Sequence, residues 1–203
     1  RAPSAGLVFD GLAGRQEVDF SPSNETFAAN WRWWRDHETG IRFFEAGVGT
    51  SPGAVDVHDW VQVGTRTTAF FNFFGDKQLT HGQKYFTSVR ATDNAGHTTV
   101  GSSDGVVIDI TPTEEGVIEH GLWDTPVRKY TNRFDLVLMR WSGVTDAESG
   151  VTSYEFGLSS TPYGNPEDGG KPDIVPLVYI GVGDQAAVID VELEHAHVYY
   201  GAV

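Results

Sequence analysis

The chain contains no cysteine, a single methionine and half as many basic residues (14) as acidic ones (28). Without cysteine, disulfides and cysteine-based zinc or iron–sulfur sites are excluded. The formal net charge of −14 would repel phosphate backbones and anionic lipid headgroups, so nucleic acid is excluded from the expected partners and membrane surfaces are disfavoured. No apolar run is long enough to cross a bilayer, so no membrane insertion is expected.

Apolar side chains are plentiful by contrast, at 39% of a chain of 203 residues, which is enough to build packed cores. The sequence also repeats itself at an offset of 110 residues. Residues 36–41 (DHETGI) match residues 146–151 (DAESGV), and Trp31 matches Trp141. An internal repeat of this length indicates two homologous domains. We therefore predict one domain at residues 1–111 and a second at residues 112–203.

Each copy has the local pattern of a β-sheet protein. Short segments such as residues 106–108 and 154–158 are β-branched or aromatic, and Gly, Pro, Asn and Asp cluster between them. No segment sustains a helical period. About seven short strands in roughly 100 residues is typical of a sandwich of two sheets. The predicted fold class is all-β, with two tandem sandwiches.

Residues 79–96 resemble the fibronectin type III family. They are similar to its E–F corner, strand F and F–G loop, and Tyr85 takes the place of the tyrosine whose hydroxyl ties the corner to the backbone. The resemblance implies tandem fibronectin type III-like, immunoglobulin-like β-sandwiches. The second copy has Ala196 where the first has Gly82, so we expect a distorted second corner.

The second copy stops at Val203, in the middle of its expected strand F, so its last strand is missing from this sequence. A sandwich without that strand presents an unpaired sheet edge. Two interpretations follow. Either the chain continues past this point, or a neighbouring protomer donates the missing strand and builds a filament.

Aromatic and apolar side chains exceed what two single-faced sheets need. Two indoles extend past the strand-B tryptophan into the B–C loop, aromatics occupy both faces of residues 70–74, and apolar side chains occupy both faces of residues 134–139. The surplus predicts packing against another protomer or a neighbouring domain; exposed indoles would also suit stacking on sugars. The predicted interface residues are Trp33, Trp34, Phe71, Phe73, Phe134, Leu136, Leu138 and the edge residue Val203.

Carboxylates cluster where the B–C loop of the second copy would meet the linker. Oxygen ligands of this kind suit calcium, and the predicted calcium ligands are Asp109, Glu114, Asp146 and Glu148. The alternative is a solvated acidic turn whose aspartate caps backbone amides. Apart from this calcium no cofactor is expected. Asn24 opens the N-glycosylation triplet of residues 24–26, which points to an extracellular protein.

No nucleophile elbow, phosphate loop or zinc-protease motif is present, so catalytic residues are not predicted and the chain is interpreted as non-enzymatic. The favoured function is an extracellular or cell-surface structural and adhesive module, repeated in a fibre or array. Its expected partners are copies of itself or neighbouring domains of a longer chain. Two alternatives stay open: a carbohydrate-binding module that binds glycans through exposed tryptophan, and a receptor ectodomain that binds a protein ligand.

Overall fold

The computed structural model describes residues 1–12, 17–162, 167 and 169–203. They form two compact units, Arg1–Thr111 and Pro112–Val203. The regular structure of both units is built from β-strands, with a 3₁₀ turn at Gly75–Lys77 in the first. Within these described ranges, no helix has the length and apolar character needed to cross a membrane.

The first unit is a sandwich of two sheets. Its strands are β1 (Leu7–Asp10), β2 (Phe20–Ser21), β3 (Thr26–Arg32), β4 (Ile41–Gly49), β5 (His58–Gly64), β6 (Thr68–Asn72), β7 (Lys84–Asp93), β8 (Thr98–Ser102) and β9 (Val106–Ile108). One sheet has the order β1-β3-β6. The other has the order β2-β9-β7-β4-β5, and β8 also pairs with β7. The pairs are antiparallel except for β2 and β9, which are parallel.

The second unit repeats this plan. Its strands are β10 (Val117–His120), β11 (Leu136–Ser142), β12 (Tyr154–Ser159), β13 (Val175–Gly181), β14 (Gln185–Ile189) and β15 (Tyr200–Ala202). The order β10-β11-β14 corresponds to β1-β3-β6, and the order β13-β12-β15 corresponds to β5-β4-β7. Equivalent strands therefore occupy equivalent places, and both units have the fibronectin type III-like arrangement that the sequence predicts.

A tryptophan holds the two sheets together in each unit. Trp31 on β3 is fully buried and packs edge-to-face on Phe44 of β4, with ring centroids 5.7 Å apart. Trp141 on β11 is equally buried and stacks on Phe156 of β12 at 6.1 Å. The side chains come from opposite sheets, so each pair crosses the interior of its sandwich. Burying side chains of this size dominates the packing energy of small domains.

Both units contain a tyrosine corner. The backbone N–H of Thr80 donates to the Tyr85 hydroxyl at 3.0 Å, and the N–H of Glu194 donates to the Tyr199 hydroxyl at 2.8 Å. The expected distortion of the second corner is therefore wrong. Ala196 adopts a left-handed backbone conformation with φ of +62°, close to the +74° of Gly82, so the corner keeps its shape at the cost of a strained alanine.

Candidate functional site

The candidate docking surface of the first unit is the outward side of the β1-β3-β6 sheet. Strand pairing sets Phe9 beside Asn30, Asn30 beside Thr68, and Ala28 beside Phe70. Because paired residues lie on the same side of a sheet, these side chains share one face. We call it the outer face; its members are Leu7, Phe9, Thr26, Ala28, Asn30, Arg32, Thr68, Phe70 and Asn72.

Aromatic and aliphatic side chains are exposed on the outer face. Phe70 is 66% exposed, and Leu7 at the other edge of the sheet is also open to solvent. Trp33, the first residue after β3, is 62% exposed and meets Phe9 edge-to-face, with ring centroids 6.4 Å apart. Exposed apolar side chains on two edges of one sheet make this face a candidate docking surface.

The backbone of Trp33 is unusual. Its φ is +64°, a left-handed conformation that a bulky residue rarely adopts. At the equivalent position of the second unit stands Gly143, with φ of +79°, and glycine adopts this conformation without steric penalty. The first unit therefore holds an exposed indole at a position where the fold itself favours glycine.

The charge of the outer face differs from that of the chain as a whole. Among its outward positions on β1, β3 and β6 there is no carboxylate, although the chain has a net charge of −14. Arg32 lies next to Leu7, and Arg66 precedes Thr67, whose carbonyl oxygen accepts from the N–H of Trp31 at 3.0 Å. The end of the face that carries Trp33 is therefore both aromatic and basic.

Three predicted interface residues belong instead to the core. Phe71 is 3% exposed and Phe73 is equally buried; the ring of His58 packs against both, with centroid distances of 5.1 and 5.9 Å. Pairing of β6 with β3 sets Phe71 opposite Phe27 on the inward side. The outward aromatics of this segment are Phe70 and Phe74, so the predicted alternation was out of phase by one residue.

Trp34 is the third correction. Its indole is buried against Phe44, with ring centroids 6.0 Å apart. Two glycines make room for it: a Cβ atom on Gly6 would lie 2.6 Å from the indole, and one on Gly101 would lie 3.0 Å from it. These glycines come from opposite ends of the first unit's sequence, so Trp34 is a core residue whose pocket exists only in the folded domain.

The predicted interface residues of the second unit are more open. Phe134 and Val203 are exposed, and Leu136 and Leu138 are half-buried on the outward side of β11. Residues 121–133 lie over part of that side and leave a cavity of about 240 Å³ that both leucines line. The Arg140 guanidinium donates to the carbonyl oxygen of Leu122 at 3.0 Å and helps to hold this segment in place. The segment therefore covers part of the second unit's apolar strand.

The acidic B–C loops are internally bonded turns. Asp36 Oδ1 accepts from the backbone N–H of Thr39 at 2.5 Å and of Gly40 at 2.8 Å. Asp146 Oδ1 accepts in the same way from Ser149 at 2.7 Å and Gly150 at 3.0 Å. These bonds lower the pKa of Asp36. The aspartates cap backbone amides, as the alternative to calcium binding expects.

The remaining predicted calcium ligands have contacts of their own. In the first unit, Asp109 Oδ1 accepts from the Thr111 hydroxyl at 2.8 Å. In the second, Glu114 Oε2 accepts from the Thr145 hydroxyl at 3.1 Å, and the N–H of Glu148 donates to Asp146 at 3.2 Å. Calcium binding by these residues stays a prediction.

The predicted glycosylation site lies on a turn next to β3. The backbone carbonyl oxygen of Asn24 accepts from the N–H of Leu79 at 2.9 Å, and the Asn24 side chain is half-buried. Glycosylation of Asn24 stays a prediction.

A buried carboxylate lies at the end of β1. Asp10 is 1% exposed and accepts from the Thr87 hydroxyl at 3.2 Å and the N–H of Gly105 at 3.1 Å. Carboxylate oxygens of Glu17 and Asp104 lie with those of Asp10 within 4.8 Å of one another. Burial, with a smaller contribution from the charge of Glu17, raises the pKa of Asp10 to about 7.

Strand order, the crossing tryptophans and the two tyrosine corners define the chain as a tandem pair of fibronectin type III-like β-sandwiches. No protein-family profile matches the sequence, and no curated protein matches it as a relative. Among solved structures, the chain is similar to the FN1–FN3 domains of chicken CNTN1 (contactin-1), with a TM-score of 0.48 and 12% sequence identity. The match covers 98% of this chain and 58% of that one, so this chain spans less than two thirds of its length.

Sequence reasoning named Trp33 but missed the rest of the outer face. Leu7, Arg32 and Phe70 are far apart in the sequence, and only strand pairing brings them to one face. One signal was available: the offset of 110 sets Trp33 against Gly143. A tryptophan that replaces a turn glycine between two copies of one fold is a mark of a specialised position.

Proposed function

We propose that this chain is a non-enzymatic structural and adhesive module that works outside the cell and docks through the outer face of its first unit. The observation that carries the proposal is Trp33. It combines an exposed indole with a left-handed backbone conformation that the second unit assigns to glycine.

The backbone of Trp33 is strained. A left-handed conformation costs a residue with a side chain about 1–2 kcal/mol. The contact of Trp33 with Phe9 returns about 0.5–1.5 kcal/mol at most. Trp33 therefore contributes little to the stability of the free domain. Tryptophan and arginine are the residues that most often dominate protein–protein binding energy, and the outer face offers both at one end.

A carbohydrate partner is the second candidate, because an exposed indole is also a stacking surface for a sugar ring. The outer face is a sheet surface that spans three strands, whereas sites for small ligands are concave and lined on several sides. This shape favours a protein partner over a single sugar.

The test compares the intact chain with the variant Trp33→Gly, which carries the residue of the second unit. Beads coated with each protein are assayed for clumping, and each protein is applied to a glycan array. We expect the wild-type chain to bind in one of the two assays and Trp33→Gly to lose at least tenfold in that binding. Its melting temperature should be unchanged or higher, since glycine relieves the strain.

The matched control is Tyr130→Ser, which removes an aromatic ring that is 88% exposed in the second unit and should leave binding unchanged. Full binding by Trp33→Gly, or no binding by the wild-type chain in either assay, would contradict the proposal.

A further inference from the structure

The two units carry very different charges. The first holds 9 basic and 13 acidic residues, for a net charge of −4, and the second holds 5 basic and 15 acidic residues, for a net charge of −10. The basic end of the outer face, with Arg32 and Arg66, lies in the less acidic unit. An aromatic and basic surface is complementary to an apolar and acidic one, and the second unit supplies acidic surface in excess.

An exposed acidic segment follows β14 in the second unit. Asp190, Glu192 and Glu194 are exposed and alternate with Val191, which is buried, and Leu193, which packs against the core. Within the described residues, neither Asp190 nor Glu192 has a basic partner within 4 Å. Ile189, at the end of β14, is 68% exposed beside them. Residues 189–194 therefore present an apolar side chain together with three carboxylates.

This acidic segment is held in a defined shape. The N–H of Leu193 donates to the Phe134 carbonyl oxygen at 2.9 Å, and the N–H of Glu194 donates to the Tyr199 hydroxyl at 2.8 Å. A segment that is fixed at both its core side and its tyrosine corner loses little conformational entropy when it binds, which favours specific docking.

We infer that the outer face of one copy binds the acidic segment, residues 189–194, of a second copy of this chain. The inference rests on the proposed function, since it names the occupant of the surface proposed there. In this contact Arg66 faces Glu192, and Trp33 packs against Ile189. Because the two surfaces differ, the contact is heterologous, and such contacts generate rings or open chains.

The inference is tested by sedimentation velocity of the full chain in 25 mM and 500 mM NaCl. Raising the salt shortens the screening length from about 20 Å to about 4 Å, so self-association should weaken at least tenfold. The charge reversals Arg66→Glu and Glu192→Lys should each give a monomer in 25 mM NaCl. The matched control is Glu115→Lys, the same change at an exposed residue next to β10, near the opposite end of β11 from Ile189; it should associate as the wild type does.

A mixture of the two charge-reversed chains gives the sharpest result. In the mixture, the intact acidic segment of Arg66→Glu can bind the intact outer face of Glu192→Lys, and the reversed charges at positions 66 and 192 make the second contact complementary as well. We expect the mixture to associate in 25 mM NaCl although each variant alone is a monomer. Association that is independent of salt, or wild-type association by Glu192→Lys, overturns the inference.

These outcomes distinguish a wrong binding partner from a wrong docking surface. If Trp33→Gly abolishes association but Glu192→Lys does not, the outer face stands as the docking surface and the acidic segment is the wrong partner. If the wild-type chain is a monomer that binds glycans through Trp33, a second copy is the wrong occupant. If Trp33→Gly associates as the wild type does, the proposed function fails as well.

Discussion

Asp10 makes the stability of the first unit depend on pH. Its carboxyl is 1% exposed, it lies within 4.8 Å of the carboxylates of Glu17 and Asp104, and its pKa is raised from 3.8 to about 7. Between these two values the folded state binds a proton that the unfolded state has released. The free energy of unfolding therefore decreases as the pH rises from 4 to 7, and stays level above it.

The size of the effect follows from the two pKa values. One pKa unit corresponds to about 1.4 kcal/mol, so ionisation of Asp10 should lower the unfolding free energy by about 4 kcal/mol between pH 4 and pH 8. Asp10→Asn is the matched variant, because a neutral amide can donate to Thr87 Oγ1 and accept from the N–H of Gly105 but cannot ionise. We expect the variant to equal the wild type within about 1 kcal/mol at pH 4.5 and to exceed it by about 4 kcal/mol at pH 8.

The assay is urea unfolding followed by tryptophan fluorescence at five pH values from 4.5 to 8. The second unit is identical in both proteins, so its unfolding serves as an internal reference at each pH. The difference between the two proteins should grow with pH through this range. A difference that stays constant from pH 4.5 to 8 would refute the reasoning.

Two further predictions concern backbone strain at the tyrosine corners and which phenylalanine of β6 points into the core. Ala196→Gly should raise the melting temperature of the second unit by relieving a strain of about 1 kcal/mol. Gly82→Ala should lower the melting temperature of the first unit by a similar amount. Opposite shifts of similar size in calorimetry support this strain, and unchanged melting temperatures in both variants contradict it. Phe71→Ala should cost about 3–5 kcal/mol of unfolding free energy, whereas Phe70→Ala should cost less than about 1 kcal/mol. Similar losses of unfolding free energy in both phenylalanine variants would show that the assignment of Phe71 as inward and Phe70 as outward is wrong.

Much of the fold was readable from the sequence, because the features that define it are local or periodic. The offset of 110 aligned Trp31 with Trp141, and the spacing from Leu79 to Tyr85 indicated a tyrosine corner that the structure contains. The candidate site was harder. Residues 70–74 carry aromatic side chains at both odd and even positions, so the sequence does not decide which rings point inward. The pairing of Phe71 with the buried Phe27 decides it.

Trp34 shows the same limit in the core. Its neighbour in sequence, Trp33, is exposed, and nothing local distinguishes the two indoles. The space for Trp34 comes from Gly6 and Gly101, which close around it only after the strands have paired. The outer face likewise gathers Leu7, Arg32 and Phe70 from three separate strands.

The sequence by itself determined the strand composition, the tandem repeat and the excess of negative charge, since each depends on residue type and spacing along the chain. Only the tertiary structure decided which aromatic side chains are core and which are open, because that depends on strand register, and a shift of one residue exchanges the two faces of a sheet. It also decided that the exposed Trp33, with its left-handed backbone, lies against Phe9. Phe9 is distant in sequence and is brought close to Trp33 by the pairing of β1 with β3.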